Sequence, residues 1–314
     1  MPNNIKDSIW LIGPGNIGRD YVKVLNNFNL NITVIGRSEK DNFPLPVYGG
    51  GVESYLKSTI NNDIPKYAIV AVNESELYPT TKILLENGIK NILIEKPGSL
   101  NKKELLNLND IAVEKNSDVY IGYNRRFYQS VQKCKELLKN NKEPLNVHFE
   151  FTEWTHDIDL NHYTKSELEK FFLCNSSHVS DLVFHLFGEP KSLNSYTSGG
   201  LEWHPSSSVF SGSGETVNGV LFSYNANWSS AGRWGVEINL TDYKLILKPL
   251  EKLFIQKKGS LDIKEIEIDN DLYKPGLYNE VKDFLNGNGK SLCSLNEQIN
   301  NFKWYYKIAN YKEL

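Results

Sequence analysis

Apolar residues follow one rhythm up to Asn124 and another beyond it. The run Ile9-Trp10-Leu11-Ile12 is continuously apolar and enters Gly13-Pro14-Gly15-Asn16-Ile17-Gly18, after which Tyr21, Val22, Val24 and Leu25 recur at helical spacing. This predicts a strand, a tight turn and a helix in that order. Asn31–Ser38 is β-branched and predicts a second strand. Asp41–Gly51, rich in Pro and Gly, predicts a loop, and Val52–Ile60 a short helix. Tyr67–Val72 is apolar throughout, the mark of a parallel strand buried on both faces. A helix over Ser75–Asn87 ends at Gly88, as a C-cap requires, and Asn91–Glu95 predicts the next strand. Asn101 with Glu104 has the form of a capping box for a helix to Asn116, and Val119–Tyr123 closes the series. Strands alternating with helices in this way define an α/β doubly wound sheet.

From Asn124 the pattern changes. A helix over Phe127–Lys139 precedes Asn146–Glu153, which alternates apolar and polar with period two, as half-buried antiparallel strands do. A second helix covers Ser166–Phe187. Further strands are predicted at Val217–Tyr224, Trp234–Leu240, Tyr243–Leu247 and Ile263–Ile268, and helices at Leu277–Leu285 and Leu295–Asn310. The reading is an α+β domain with a large open, mainly antiparallel sheet, helices on one face. A subunit interface is expected on the other, since exposed apolar sheet is rarely left uncovered. The domains are expected at residues 1–124 and 125–314.

A chain of 314 residues fits two domains better than one core, and 40% apolar with 23% charged residues is ordinary for a soluble globular protein. A net charge of −3 gives no reason to expect nucleic acid or an anionic membrane as partner, which leaves small molecules. Cys134, Cys174 and Cys293 are too few and too scattered for a disulfide framework or a Cys-rich zinc site, and no metal is expected. Met1–Asp7 carries no apolar core or cleavage pattern, and no apolar run reaches membrane-spanning length, so the reducing cytoplasm fits best.

The Gly turn is the first candidate for chemistry. Gly13 permits the turn, Gly15 lets backbone approach a pyrophosphate, Gly18 lets helix and strand pack, and the N–H groups at Asn16 and Ile17 face the anion. At the end of the second strand, an acidic residue for the adenosine ribose is missing. Arg37 and Ser38 stand there instead and suit a 2′-phosphate, which points to NADP, with NAD the alternative. Ligands of such sheets bind at the carboxyl ends of the strands, which adds Val72, Asn73, Glu95 and Lys96, then Tyr123 and Asn124. A lysine in Lys96's place can bind a substrate hydroxyl and move a proton.

In the second domain Val179, Leu182, Val183 and Leu186 form an apolar stripe, with His178, Asp181 and His185 on another face. Asp181 can fix the tautomer of His178, while His185 reads as a structural residue. Trp154 beside His156, Asp157, Asp159 and His162 offers an aromatic face and polar groups for a sugar, or is simply a polar loop; Trp203-His204-Pro205 and Trp228–Trp234 can line the same cleft. Arg125 and Arg126 suit a phosphate or carboxylate, or an interdomain salt bridge.

Gly13–Gly18, Glu95-Lys96-Pro97, Gly122-Tyr123-Asn124-Arg125-Arg126-Phe127, Ser177–Asp181 and Leu186-Phe187-Gly188 together resemble the Gfo/Idh/MocA oxidoreductase family across almost the whole chain. The resemblance implies an N-terminal Rossmann domain and a nicotinamide-dependent dehydrogenase acting on a sugar, cyclitol or sugar nucleotide, assembled as a homodimer or homotetramer. It implies that Lys96 contacts cofactor and substrate and that His178 transfers a proton, with Tyr123, Asn124, Arg125, Trp154, Asn175 and Asp181 around the substrate. Many members carry an Asp where this chain has Cys174, which leaves the usual Asp–His–Lys trio incomplete. The form Asn175–Asp181 is similar to members from surface-polysaccharide sugar pathways. Two rival readings are a non-catalytic dinucleotide sensor or scaffold of the same fold and a methyltransferase; retention of Lys96 and His178 argues against the first, and the strand end at Arg37 against the second.

Overall fold

The computed structural model describes residues 7–58, 64–139, 146–287 and 289–312; the N-terminal stretch Met1–Lys6 and Ile60 at the end of an expected helix lie outside them. The chain divides into two compact units. One joins the residues up to Gly122 with Leu277–Ile299, and the other joins Tyr123–Gly276 with the residues from Asn300 on. The break falls after Gly122, and Leu277–Ile299, which lies in the stretch expected as the second domain, groups with the first unit.

The first unit runs β1 (Asp7–Ile12), α1 (Asn16–Leu25), β2 (Leu30–Ile35), β3 (Val47–Tyr48), α2 (Gly51–Ser58), β4 (Tyr67–Val70), α3 (Glu74–Glu86), β5 (Asn91–Glu95), α4 (Lys102–Lys115) and β6 (Asp118–Gly122). Its strands pair in parallel in the order β6-β5-β4-β1-β2-β3, with helices between them, as the apolar runs require. All of β4 is buried. Asn101 caps α4 by accepting from the Glu104 N–H at 2.9 Å. The reciprocal half of the expected capping box does not form, because the Glu104 carboxylate accepts the Ser99 hydroxyl instead.

In the second unit α5 (Gln129–Lys139), β7 (Asn146–Glu150), α6 (Lys165–Glu169), α7 (Ser177–Phe187), β8 (Pro190–Ser198), β9 (Val209–Thr216), β10 (Leu221–Asn227), β11 (Gly235–Asn239), β12 (Tyr243–Leu247), β13 (Phe254–Lys257) and β14 (Ile263–Glu265) follow. They give an eight-stranded sheet in the order β14-β13-β12-β11-β7-β10-β9-β8, antiparallel except for β7 beside β10. β8, β9 and β13 went unpredicted. In β9 the reason is steric: a Cβ on Gly212 or Gly214 would lie 2.4 or 2.6 Å from the rings of Tyr224 and Phe222, so the strand omits the side chains that would have marked it. The helix expected over Ser166–Phe187 is broken into α6, a π-helical turn at Phe172–Ser176, and α7. The last elements are α8 (Leu277–Leu285), β15 (Cys293–Ser294), which pairs antiparallel with β6, and α9 (Leu295–Ala309).

The inner face of the second sheet is aromatic, with Phe149 and Phe222 packed on Phe184 of α7. The outer face carries His148, Ser211, Ser213, Ser223 and Asn225 together with the exposed Leu221 of β10 and Tyr196 of β8. Among the described residues, no helix is long and apolar enough to cross a membrane.

Two histidines of this unit are structural. Burial pulls His185 down to about 2, helped by Arg126 and Lys135. His204 lies between the Ser207 carbonyl and the Tyr311 hydroxyl, each at 2.7 Å, and burial pulls it down to about 4. Both stay neutral when folded and take a proton when unfolded below pH about 6.5, so they add stability above that pH and lose it below. His185→Gln should therefore flatten the fall in unfolding free energy between pH about 6.5 and 4.5 by about 1.4 kcal/mol per pH unit, as read by urea titrations at each pH.

Candidate active site

β1 ends at Ile12, and Gly13 turns the chain at φ +107°, where a Cβ would lie 2.1 Å from the Ala71 carbonyl oxygen. α1 begins with Gly15 as its N-cap, and no side chain caps its first N–H groups. A Cβ on Gly15 would meet no protein atom within 4 Å. The turn therefore keeps open space in front of unpaired donors at a helix N-terminus, which is what an anion needs. A cavity of about 500 Å³ starts there, lined among others by Gly13, Gly15, Arg37, Ser38, Val72 and Asn73. Asn16, Ile17 and Gly18 form the first turn of α1 and do not line it, nor do Glu95 and Lys96.

Sequence reasoning missed Lys40, Glu53, Glu76 and Thr80 in this lining. Lys40 reaches back to the Pro14 carbonyl at 2.9 Å, so a second exposed cation stands near Arg37. Its place three residues after Arg37, at the same strand end, was the available signal.

β5 delivers Glu95-Lys96-Pro97, with the Lys96–Pro97 peptide cis. Glu95 is a brace: it accepts the Tyr21 hydroxyl at 2.8 Å, and burial, then Glu95 and Glu280, hold that phenol well above its ordinary range. Gln298 donates to the Pro97 carbonyl at 2.9 Å from the returning segment. Lys96 Nζ lies 3.4 Å from the Glu74 carboxylate, their side chains only 15% and 17% exposed, a charged donor held in a largely dry place.

In the second unit a 3₁₀ turn, Asn124–Phe127, places Arg126 against α7. Arg126 forks onto Asp181, Nε to Oδ2 at 2.8 Å and Nη2 to Oδ1 at 2.5 Å, both residues fully buried. The fork engages both carboxylate oxygens of Asp181, as expected of a buried carboxylate beside a guanidinium. Arg126 is engaged inside its own unit.

His178 is buried, with the Tyr123 ring edge-on at 5.4 Å and Arg125 Nη1 3.0 Å from Nε2. A guanidinium only donates, so Nε2 accepts and the ring proton belongs on Nδ1. Arg125 is steadied by Asn124 Oδ1 at 2.7 Å, while Asn124 Nδ2 donates to the Pro275 carbonyl at 3.0 Å and the Tyr123 hydroxyl donates to Ser177. Tyr123 and Asn124 thus support the histidine. Cys174 is buried, and its thiol donates to the Glu167 carbonyl at 3.4 Å.

Trp154 is 45% exposed, its indole N–H given to the Gly232 carbonyl at 2.7 Å and its ring covered by the Arg233 guanidinium at 4.7 Å. With Glu153, His156 and Trp228–Gly232 it lines a cavity of about 550 Å³. Asp157, Asp159 and His162 are exposed and do not line it. Trp203 is half-buried and stacks on Trp228, and His204 is wholly buried; neither Trp203 nor His204 lines this cavity. Glu153 is the group the sequence reading passed over. It continues the inward phase of Val147, Phe149 and Phe151, and a carboxylate in that phase was its signal. Burial pushes it up to about 7, opposed by the Ser176 hydroxyl, the Arg233 charge, Trp234 and the Asn175 amide.

Residues 8–123 match the family model of the Gfo/Idh/MocA oxidoreductases, described as an oxidoreductase family with an NAD-binding Rossmann fold. Over this stretch the chain is similar to that family. Solved structures similar over nearly the full length include UDP-N-acetylglucosamine 3-dehydrogenase from Acidithiobacillus ferrooxidans, at 16% identity, TM-score 0.70 and 98% of both chains. An inositol dehydrogenase homolog from Azotobacter vinelandii, complexed with NADH and myo-inositol, matches at 14%, TM-score 0.76, over 98% of this chain and 95% of its own. An oxidoreductase from Agrobacterium radiobacter, in complex with NAD+, L-tartaric acid and magnesium, matches at 12%, TM-score 0.79, over 98% and 96%. At such identities the likeness is one of fold. No curated protein matches the chain.

The two glycines of the turn should separate fold from ligand. Gly13→Ala should lower the unfolding free energy by about 3 kcal/mol, since the new methyl meets backbone at a positive φ. Gly15→Ala should leave stability within about 0.5 kcal/mol yet weaken dinucleotide binding about tenfold or more, as read by parallel denaturation and titration.

Proposed function

We propose that the chain is a nicotinamide-dependent oxidoreductase that moves a hydride between the cofactor and a ring hydroxyl or ketone of a sugar, cyclitol or sugar nucleotide, with NADP preferred over NAD. The observation that carries this reading is the space kept clear at Gly15, in front of the uncapped N–H groups of α1, at the mouth of a cavity of about 500 Å³. Arg37 and Lys40 at its rim support a 2′-phosphate, one as a fork and one as a point charge. The similar structures whose names carry UDP-N-acetylglucosamine, and NADH with myo-inositol, support the substrate class.

The nicotinamide, when bound, supplies the hydride acceptor. The chain handles the proton. His178 or Lys96 takes it from the substrate hydroxyl while the other holds the oxygen. His178 accepts at Nε2, the atom that Arg125 now holds at 3.0 Å, so the substrate must displace Arg125 to use that base. Trp154 offers its exposed indole face to the C–H side of a ring.

Titration with NADPH and NADH, followed by nicotinamide fluorescence, tests the cofactor reading; binding of neither would end it. Arg37→Ala should weaken NADPH far more than NADH, and equal losses would refute the 2′-phosphate role. Lys96→Ala should lower kcat at least about a hundredfold with the cofactor still bound, and unchanged turnover would remove Lys96 from the mechanism.

A further inference from the structure

The run Phe171–Ser180 is buried at every position except Asn175, which is half-buried. Asn175 lies in the π-helical turn Phe172–Ser176 that leads into α7 and His178, and π-turns of this kind recur at functional sites. Its side-chain Nδ2 donates to Glu153 Oε2 at 3.1 Å, while the Ser176 hydroxyl donates to Glu153 Oε1. Glu153 itself is only 3% exposed.

A carboxylate accepts and cannot donate, so it chooses which end of the Asn175 amide turns toward it. The NH₂ goes to Glu153 and the carbonyl Oδ1 is left for whatever approaches. We propose that Glu153 is a positioning residue: by holding Nδ2 it presents Asn175 Oδ1 as the acceptor for a ligand hydroxyl, and a proton on Glu153 reverses that amide. The nature of the ligand, a polyhydroxylated ring, rests on the oxidoreductase reading; the coupling between Glu153 and Asn175 does not.

The reversal follows from donor and acceptor counts. A proton from solvent on Oε2 sets an O–H against the N–H of Nδ2, two donors face to face, and rotation of the amide relieves this by letting Oδ1 accept. The outward atom then changes from an acceptor to a donor. Few charges face the carboxyl. From the loop before β11, Arg233 Nη1 lies 4.0 Å from Oε2, beside Trp234; from the π-turn come the neutral Asn175 and Ser176. On its own segment His156 lines the same cavity, and Glu150 is engaged by Lys248 and by the Arg233 backbone N–H. Burial holds the Glu153 carboxyl up at about 7, so the proton comes and goes near neutrality.

The test follows the Asn175 side-chain amide resonances of the full-length, ¹⁵N-labelled protein from pH about 5.5 to about 8.5, with no ligand added and Asn175→Ala supplying the assignment. A shift with its midpoint near neutrality in wild type, lost in Glu153→Gln, is expected. A flat titration in wild type, or the same shift in Glu153→Gln, overturns the proposal. The wild-type curve decides the matter even if Glu153→Gln does not fold. With a substrate in hand, Asn175→Ala should raise KM about tenfold with kcat within about twofold and abolish the pH dependence of KM; an unchanged KM overturns the proposal. Absence of nicotinamide binding would end the oxidoreductase reading alone, since the amide titration is read without it.

Discussion

Two charges buried together, Arg126 and Asp181, set the terms for the second unit. Neither can be left unpaired away from water without a penalty of several kcal/mol, so the two form an obligatory couple, and the guanidinium fork fixes how they meet. One partner sits in the turn Asn124–Phe127 and the other one helical turn beyond His178. Arg125 against the imidazole, and the Tyr123 ring at its edge, follow from that anchorage. Against a well-packed apolar alternative such a pair adds little net stability; its effect lies in geometry.

Carboxylates in this chain take their roles from what surrounds them. Asp181 meets a full positive charge in a matched fork. Glu95 accepts a phenol from Tyr21 and becomes part of the frame that holds the Lys96 turn. Glu153 has neutral donors and a cation at 4.0 Å, too little to offset burial, so its carboxyl keeps a proton up to about 7. Sequence shows three acidic residues, and only the neighbours separate a permanent partner, a brace and a titrating group.

The parts of the fold that could be read from sequence are those whose cause is local. Apolar and β-branched runs gave β1, β2, β4, β5 and β6, and the spacing of glycines after Ile12 gave the turn, because these signals lie within a few residues of their effect; the two-residue β3, within the stretch read as loop, and β15 carry no such run. Gly13, Gly15, Arg37, Ser38, Val72 and Asn73 do line one cavity. What escaped depends on distant partners. β9 is marked by missing side chains whose reason is the rings of β10. Asp181 shares a helix with His178, yet its partner lies 55 residues away, where spacing cannot see it. Leu277–Ile299 reads as a continuation of the second unit until β15 is found beside β6. Glu153 was visible in principle, as a charge in the inward phase of an apolar alternation.

The bare start of α1 has a thermodynamic consequence. Most helices close their first turn with a side chain of their own; here Gly15 provides none, and the donors are left to solvent. An anion seated in that turn serves as the missing cap, and it can do so only when the turn is formed. Ligand concentration and folded population are then linked by mass action, worth about 2.7 kcal/mol at a hundredfold excess over Kd. The first unit is in this sense built incomplete, and its ligand is one of its structural members.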